Sequence, residues 1–180
     1  MNYDAVLFLV DGFEEIEALA TLDILRRGEV DVVSVSLTGR YEVTGSHDII
    51  VRADILFDDL SDVAGTMLIL PGGPGRVHYK NHEPLLELLK LHDSEGGKIA
   101  AICGAPEVLG TLGLLKNKTA VCHPAVEKEL NALHVSHAKV ITDKNITTSR
   151  AAGTTIDFAL ELVRILKGAD TAHKIASAIA

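Results

Sequence analysis

Short, continuously apolar runs alternate along this chain with longer segments in which apolar residues recur at helical spacing. The apolar runs, which have the pattern of buried parallel strands, occupy residues 5–10, 30–36, 67–70 and 99–102. The segments with helical spacing occupy residues 14–27, 84–91, 107–115, 125–133, 154–166 and 169–180. This alternation predicts an α/β fold with an open, mostly parallel sheet and helices on both of its faces.

Shorter patterns predict two hairpins and one more strand. Residues 41–45 and 49–52 form an antiparallel pair around Gly45, and residues 140–148 form another with Asp143 to Asn145 as its turn. Residues 119–122 predict a short strand. Because no linker, repeat or low-complexity tract interrupts the chain, we expect residues 1–180 to form a single domain.

The first predicted helix combines an apolar face with an acidic start. Its residues expected to face the core are Ile16, Leu19, Ala20 and Ile24. Glu14 and Glu15 lie in the first turn, where carboxylates suit the helix dipole, and both are expected to be solvated.

Composition and charge exclude several classes of protein. The net charge of −8 argues against nucleic-acid binding, which requires an excess of Lys and Arg. No apolar run reaches the roughly 20 residues of a membrane span, and the start lacks the basic segment of a signal peptide. The two cysteines do not form a disulfide framework, so a reducing cytoplasm is the expected location.

The loops that follow the predicted strands gather reactive groups at one edge of the sheet. Residues 11–17, 71–75 and 103–106 follow buried strands, and residues 122–124 follow the short one. Cys103 stands at a sharp strand-to-helix turn, where the dipole of the next helix favours a thiolate, so it is a candidate nucleophile. The alternative is a small, buried and inert side chain. Cys122, at the end of an apolar strand, is expected to be structural.

Three further groups have a chemical and a structural interpretation each. Glu17 lies at the border of the apolar helix face, where a raised pKa would let its carboxyl share a proton with a thiolate. Gly72 and Gly73 either form a simple turn or present N–H groups to a developing oxyanion. His123 either caps or packs locally, or assists proton transfer at the thiol.

Metal and cofactor sites are not predicted. His134 and His137 have a ligand-like spacing, but no cysteine pair accompanies them. No glycine-rich dinucleotide or Walker-type loop occurs, so neither a dinucleotide nor ATP is indicated.

Several motifs in fixed order resemble one known family. They are 11–17 (DGFEEIE), 70–73 (LPGG), 101–106 (AICGAP), 122–124 (CHP) and 148–154 (TSRAAGT). Together they resemble the ThiJ/PfpI superfamily, within it the branch of the parkinsonism-associated deglycase and bacterial relatives labelled as thiazole monophosphate biosynthesis enzymes. The resemblance implies a flavodoxin-like three-layer sandwich, similar to class I glutamine amidotransferases, and a homodimer.

The resemblance also implies roles for individual residues. Cys103 matches the reactive cysteine, Glu17 its protonated partner, and His123 the neighbouring histidine. The oxyanion and anion-binding positions match Gly72, Gly73, Gly104 and Arg27, the last beside an anion pocket near the dimer interface.

Departures from the family pattern narrow the expected chemistry. The protease-like branches have a histidine after the nucleophile, where this chain has Gly104, so peptidase activity is disfavoured. His47 replaces an arginine at the anion pocket, and Gly45 and Arg52 replace additional cysteines of the animal proteins.

The resemblance implies a cofactor-independent enzyme of the glyoxalase III or deglycase type. It would convert small 2-oxoaldehydes such as methylglyoxal and glyoxal to hydroxy acids, and it would act on early glycation adducts of proteins. The alternative is a redox-responsive chaperone or oxidative-stress sensor that acts through oxidation of Cys103. Neither function implies a nucleic-acid or membrane partner.

Overall fold

A computed structural model describes residues 3–61 and 63–180 and confirms the α/β fold. Its central sheet has seven strands in the spatial order β10-β11-β7-β6-β1-β2-β5, all parallel except the β10 edge. These strands are β1 (Ala5–Leu9), β2 (Val32–Ser36), β5 (Ile55–Leu56), β6 (Met67–Leu70), β7 (Ile99–Ile102), β10 (Val140–Asp143) and β11 (Ile146–Ser149).

Two small sheets lie outside the central one. β3 (Glu42–Thr44) and β4 (Ile50–Arg52) form the antiparallel hairpin that the sequence predicts, while β8 (Thr119–Ala120) pairs with β9 (His134–Val135). The predicted strand at residues 119–122 is therefore shorter than expected, and it does not join the central sheet. Among the described residues, no helix is long and apolar enough to cross a bilayer.

Helices cover both faces of the sheet, and each face has its own apolar core. The helices are α1 (Glu15–Arg27), α2 (Arg76–Lys80), α3 (Glu83–Ser94), α4 (Pro106–Thr111), α5 (Thr155–Lys167) and α6 (Ala169–Ala178). Alternate residues of β1 serve the two cores: Leu7 and Leu9 contact the α1, α5 and α6 side, and Val6 and Phe8 the α2, α3 and α4 side. This arrangement confirms the predicted three layers.

Two predicted helices are shorter than their apolar pattern indicates. α4 ends at Thr111 because the chain turns at Gly113, whose φ of +78° lies in the left-handed region. The segment predicted as a helix over 125–133 is a 3-10 helix, Pro124–Glu129, and the chain turns again at Asn131 with φ 49°.

The buried face of α1 also differs from the predicted one. Ile16 and Leu19 are 57% and 36% exposed, while the buried residues of α1 are Glu15, Glu17, Ala18, Thr21, Leu22, Ile24 and Leu25. The reason is that the helix turns the carboxyls of Glu15 and Glu17 inward, where each has a specific polar partner. An apolar pattern alone does not reveal such partners.

Candidate active site

Cys103 occupies a strained turn between β7 and α4. Its φ of 64° is unusual for a residue with a side chain. Hydrogen bonds hold the turn on both sides: the Cys103 N–H donates to the Ser149 carbonyl (2.9 Å), and the Cys103 carbonyl accepts from the His123 N–H (2.7 Å). The side chain is partly exposed, whereas the other thiol, Cys122, is 1% exposed within the core.

The carboxyl of Glu17 lies beneath this turn. It is fully buried, and its Oε2 accepts a hydrogen bond of 2.7 Å from the Gly72 N–H. Within residues 3–61 and 63–180 its Oε1 accepts no hydrogen bond, although the side chain of Cys103 is near enough to lower the pKa of the carboxyl. Oε1 is therefore the oxygen of Glu17 that is available to exchange a proton with the thiol.

Gly72 allows the carboxyl and the thiol to approach each other. A Cβ at this position would lie 2.8 Å from Cys103 Cβ and 2.8 Å from Glu17 Oε2, closer than real Cβ atoms come. The glycine is thus required by the close approach of two functional side chains. Gly73 has φ +101°, and a Cβ there would meet the Glu14 nitrogen at 2.6 Å.

Burial controls the protonation of both acidic groups. It raises the pKa of Glu17 to about 7, although the Cys103 side chain and the Gly72 N–H oppose the shift. Burial and the carboxylate of Glu17 raise the pKa of Cys103 to about 12, against the N–H groups of Gly104 and Gly73. The sequence predicts a thiolate at Cys103 from the turn and the helix dipole. Burial and the charge of an ionised Glu17 instead favour the protonated thiol.

The two groups titrate as one unit because each changes the pKa of the other. A proton on Glu17 removes the carboxylate charge that disfavours the Cys103 thiolate. The raised pKa of Glu17 thus keeps one mobile proton in the pair near neutral pH. Such a pair can supply a nucleophile and an acid at the same place.

The thiol opens into a pocket of about 450 Å³. Its lining residues are Glu14, Ser46, His47, Gly73, Pro74, Arg76, Cys103, Gly104, His123, Ala125 and Val126. His123 Nδ1 accepts a hydrogen bond of 3.2 Å from the Ala125 N–H, so the neutral ring carries its proton on Nε2. The structure thus brings Glu17, Gly72, Gly73, Cys103, Gly104 and His123 together.

The expectation that Glu15 is solvated is wrong. Its side chain is buried and accepts from the His47 N–H (2.6 Å), the His47 ring (2.7 Å) and the Ser46 hydroxyl (3.0 Å). Burial alone would raise the pKa of Glu15, but these donors lower it to about 2, and the carboxylate in turn raises the pKa of His47. Glu14, by contrast, caps α1 and accepts from the Glu17 N–H.

Donor atoms of Glu14, Glu15 and His47 lie within 4.8 Å of one another, a spacing that can suit a metal ion. However, Glu15 and His47 bind each other, and Glu14 Oε2 accepts from the Glu17 N–H. The hydrogen bonds of these three side chains to protein groups therefore explain why they lie close together.

Within one chain, the structure does not bring Arg27 to the pocket. Arg27 lies ten residues beyond Glu17 on α1, which corresponds to about 15 Å along the helix. Its Nε donates to Asp23 (2.7 Å), and half of its side chain is exposed. A role beside a dimer interface stays a prediction.

The pocket contains one cation that the sequence analysis does not identify. Arg76, the first residue of α2, pairs with Glu107 of α4, which also binds Lys80. Its only sequence signal is its place shortly after the Gly72-Gly73 turn, which does not specify where a long side chain extends.

Comparison with known proteins gives a consistent set of relatives. Residues 4–165 match the DJ-1/PfpI family. The chain is 39% identical over 167 residues to protein DJ-1 homolog B of Arabidopsis thaliana, covering 91% of this chain and 38% of that protein. It thus spans less than half the length of the Arabidopsis relative.

Two other similarities cover nearly all of both chains. The crystal structure of Drosophila melanogaster DJ-1beta has a TM-score of 0.93 and 31% identity, and the match covers 99% of this chain and 98% of that one. A protein of Pyrococcus abyssi named as a deglycase is 27% identical over 164 residues, which are 90% of this chain and 98% of that protein.

We expect Glu17→Gln to stabilise the protein above pH 7. The ordinary pKa of glutamate is 4.5 and burial raises that of Glu17 to about 7, so the native state binds more protons between these values. Stability therefore falls as the pH rises through this window, by about 3 kcal/mol in total. Glutamine carries no charge and avoids this cost. Urea unfolding at pH 5 and pH 8 measures the difference.

Glu15→Gln is the matched control because the pKa of Glu15 is shifted in the opposite direction, so its effect on stability depends on pH in the opposite way. The pKa of Glu15 is lowered to about 2, so its contribution is present above pH 4.5 and is lost as the pH falls through 2. This variant should be less stable than the parent protein at pH 8. A shift of both variants in the same direction would contradict the assignment.

Proposed function

This chain belongs to the DJ-1/PfpI family, and from that membership we propose that it is a cysteine enzyme that converts small 2-oxoaldehydes to 2-hydroxy acids. Methylglyoxal and glyoxal are the smallest substrates of this kind. The observation that supports the proposal most is the buried Glu17 carboxyl with one free oxygen beside the strained Cys103 turn. The pair offers a nucleophile and a proton carrier without a cofactor.

The reaction begins with addition of the Cys103 sulfur to the aldehyde carbon. As the C–S bond forms, the aldehyde oxygen takes the proton that the pair holds, which leaves a neutral hemithioacetal and an ionised Glu17. The N–H groups of Gly73 and Gly104, which favour the thiolate, are the donors available to the developing oxygen charge.

Proton transfer between the two carbons follows. The Glu17 carboxylate removes the proton from the sulfur-bearing carbon, which gives an enediolate. The hydroxyl proton on that carbon passes to the oxygen of the neighbouring carbon, and the Glu17 carboxyl returns its proton to the neighbouring carbon itself. The product is a thioester of a 2-hydroxy acid, and no electron leaves the molecule. A carboxyl with a pKa of about 7 can both accept and donate at neutral pH.

Water then cleaves the thioester and restores the Cys103 thiol. The net reaction adds one water to methylglyoxal to give lactate, or one water to glyoxal to give glycolate. His123, with its proton on Nε2, lines the pocket and is suited to assist this proton transfer.

The same chemistry extends to early glycation adducts on proteins. The Pyrococcus relative is named as a deglycase, and Cys103 is partly exposed at the pocket, where an aldehyde carbon attached to a larger group can approach it. In such an adduct the sulfur of Cys103 would replace the protein's amine or thiol at that carbon. The released amine or thiol would take the proton that the pair holds, and the later steps would be unchanged.

The direct test is lactate formation from methylglyoxal. We expect Cys103→Ser to reduce turnover to the uncatalysed background and Glu17→Gln to lower kcat by about 10²-fold or more, because the first removes the nucleophile and the second the proton carrier. The matched control is Cys122→Ala, which removes the buried thiol outside the pocket and should retain activity. Equal turnover by the parent protein and Cys103→Ser would contradict the proposal.

A second candidate function is a redox response of Cys103. The observation in its favour is the contrast between two thiols of one chain: Cys103 is partly exposed beside a carboxyl, and Cys122 is 1% exposed. Two equivalents of peroxide would oxidise the thiol to a sulfinic acid and release two waters. Protonated Glu17 could donate a hydrogen bond to the sulfinate.

Mass spectrometry after mild peroxide treatment tests this candidate. We expect a gain of two oxygens at Cys103 while Cys122 stays reduced, since oxidation follows access to the sulfur. In Glu17→Gln we expect less sulfinic acid at Cys103 and more sulfonic acid, because the sulfinate loses the hydrogen bond from the carboxyl. Equal oxidation of both cysteines would rule out the sensor.

We also propose that the chain forms a homodimer through α1 and the β3–β4 hairpin. Ile16 is 57% exposed, and Ile49 and Ile50 are 50% and 65% exposed. Glu15 joins the two elements through its bonds to Ser46 and His47, so α1 and the hairpin, with these exposed apolar side chains, are the proposed dimer face beside the pocket.

Light scattering with size-exclusion chromatography tests the dimer. We expect Ile50→Asp to shift the protein to the mass of one chain, because a buried carboxylate at the interface has no partner. Leu133→Asp is the control, since Leu133 is 57% exposed and directly precedes β9, outside α1 and the β3–β4 hairpin. A monomeric parent protein, or a dimer in both variants, would contradict the proposed face.

A further inference from the structure

The guanidinium of Arg76 lines the pocket and uses one of its three nitrogens in a hydrogen bond within the described residues. Its Nε donates to Glu107 Oε2 (3.1 Å), while its two terminal nitrogens form no hydrogen bond within residues 3–61 and 63–180. The side chain is 29% exposed and lines the same pocket as Cys103 and His123. It therefore has free donors where a substrate would bind.

The charge of Arg76 is only partly balanced by the protein. Glu107 is buried and binds both Arg76 and Lys80, so two cations share one carboxylate. Burial alone would raise the pKa of Glu107, but the two cations bring it below its ordinary value, which keeps the carboxylate ionised. The cluster of Arg76, Lys80 and Glu107 therefore carries a net charge of +1.

Gly104 makes room for this arginine. A Cβ at position 104 would lie 2.5 Å from Arg76 Cδ and 2.9 Å from its Nε. Any side chain directly after the nucleophile would thus displace Arg76 from its position. A histidine at position 104 and the guanidinium of Arg76 would therefore occupy the same space, and this chain has the guanidinium.

Other charges at the pocket do not take the place of this donor. The Glu14 carboxylate already accepts from the Glu17 N–H, and His47 is paired with Glu15. The N–H groups of Gly73 and Gly104 and the Nε2–H of His123 are assigned above to the reacting end of the substrate. The two terminal nitrogens of Arg76 are the charged donors of the pocket that remain available for a planar anion.

We propose that Arg76 binds a carboxylate carried by the substrate, so that the pocket selects anionic 2-oxoaldehydes over neutral ones. The selection among substrates rests on the proposed function, whereas the binding of a carboxylate by Arg76 does not. A suitable probe is 4,5-dioxopentanoate, which has a 2-oxoaldehyde at one end and a carboxylate at the other. Addition of one water would give 2-hydroxypentanedioate by the same steps as for methylglyoxal.

Kinetics of 4,5-dioxopentanoate and methylglyoxal test the selection. We expect Arg76→Gln, which can still donate to Glu107, to lower kcat/KM for the anionic substrate at least tenfold more than for methylglyoxal, mainly through KM. Arg76→Lys should restore part of the preference. Arg164→Gln removes an arginine on α5 that pairs with Glu161 outside the pocket, and it should change neither value. An equal loss for both substrates would overturn the inference.

A binding measurement keeps the inference separate from the reaction. Calorimetry on Cys103→Ala would compare 4-oxopentanoate, which has a carboxylate and no aldehyde, with the neutral 4-oxopentanamide. We expect the carboxylate to bind at least tenfold more tightly, and the difference to disappear when Arg76→Gln is added. If the carboxylate binds no better than the amide, the inference fails even if methylglyoxal is converted. If the difference depends on Arg76 but no aldehyde is converted, the proposed function fails and the anion site stands.

Discussion

The site depends on one contact, the approach of a buried carboxyl to a thiol across the backbone of Gly72. The Gly72 N–H binds one oxygen of Glu17, while the other oxygen stays free near Cys103. Because the carboxyl is fully buried, its charged form is costly and its proton is held up to about pH 7. A side chain at position 72 would push the Glu17 carboxyl away from the Cys103 thiol and so separate the acid from the nucleophile.

The parallel sheet supplies the rigidity that this contact requires. Cys103 follows β7, the Gly72-Gly73 turn follows β6, and Glu17 lies in the first turn of α1 after β1, so three neighbouring strands end at one site. Hydrogen bonds between the loops fix their spacing: the Glu14 N–H donates to the Gly72 carbonyl (3.0 Å), and the Cys103 N–H donates to Ser149 (2.9 Å). The strain of the Cys103 turn is thus borne by elements that also form the core.

The sequence predicts the sheet, both hairpins and the edge at which the reactive groups meet, because these depend on local apolar periodicity and on the order of strands. It predicts a raised pKa for Glu17 but not the burial of Glu15, because Glu15 owes its place to Ser46 and His47 on a distant hairpin. It overestimates α4, which ends where Gly113 turns the chain. Arg76 is missed for a similar reason: the space for its side chain is created by Gly104, and the carboxylate that holds it is Glu107 on another helix.

A raised pKa does not by itself identify the reactive thiol. Burial raises the pKa of Cys122 to about 12, as burial and Glu17 together do for Cys103. The two differ in what lies beside them: Cys122 is enclosed by an apolar core, whereas Cys103 faces a carboxyl that can carry its proton and a pocket that admits a substrate. For a buried acid and thiol that share a proton, reactivity follows from whether the proton can move to a second group at the same site, and only Cys103 of the two has Glu17 as such a neighbour.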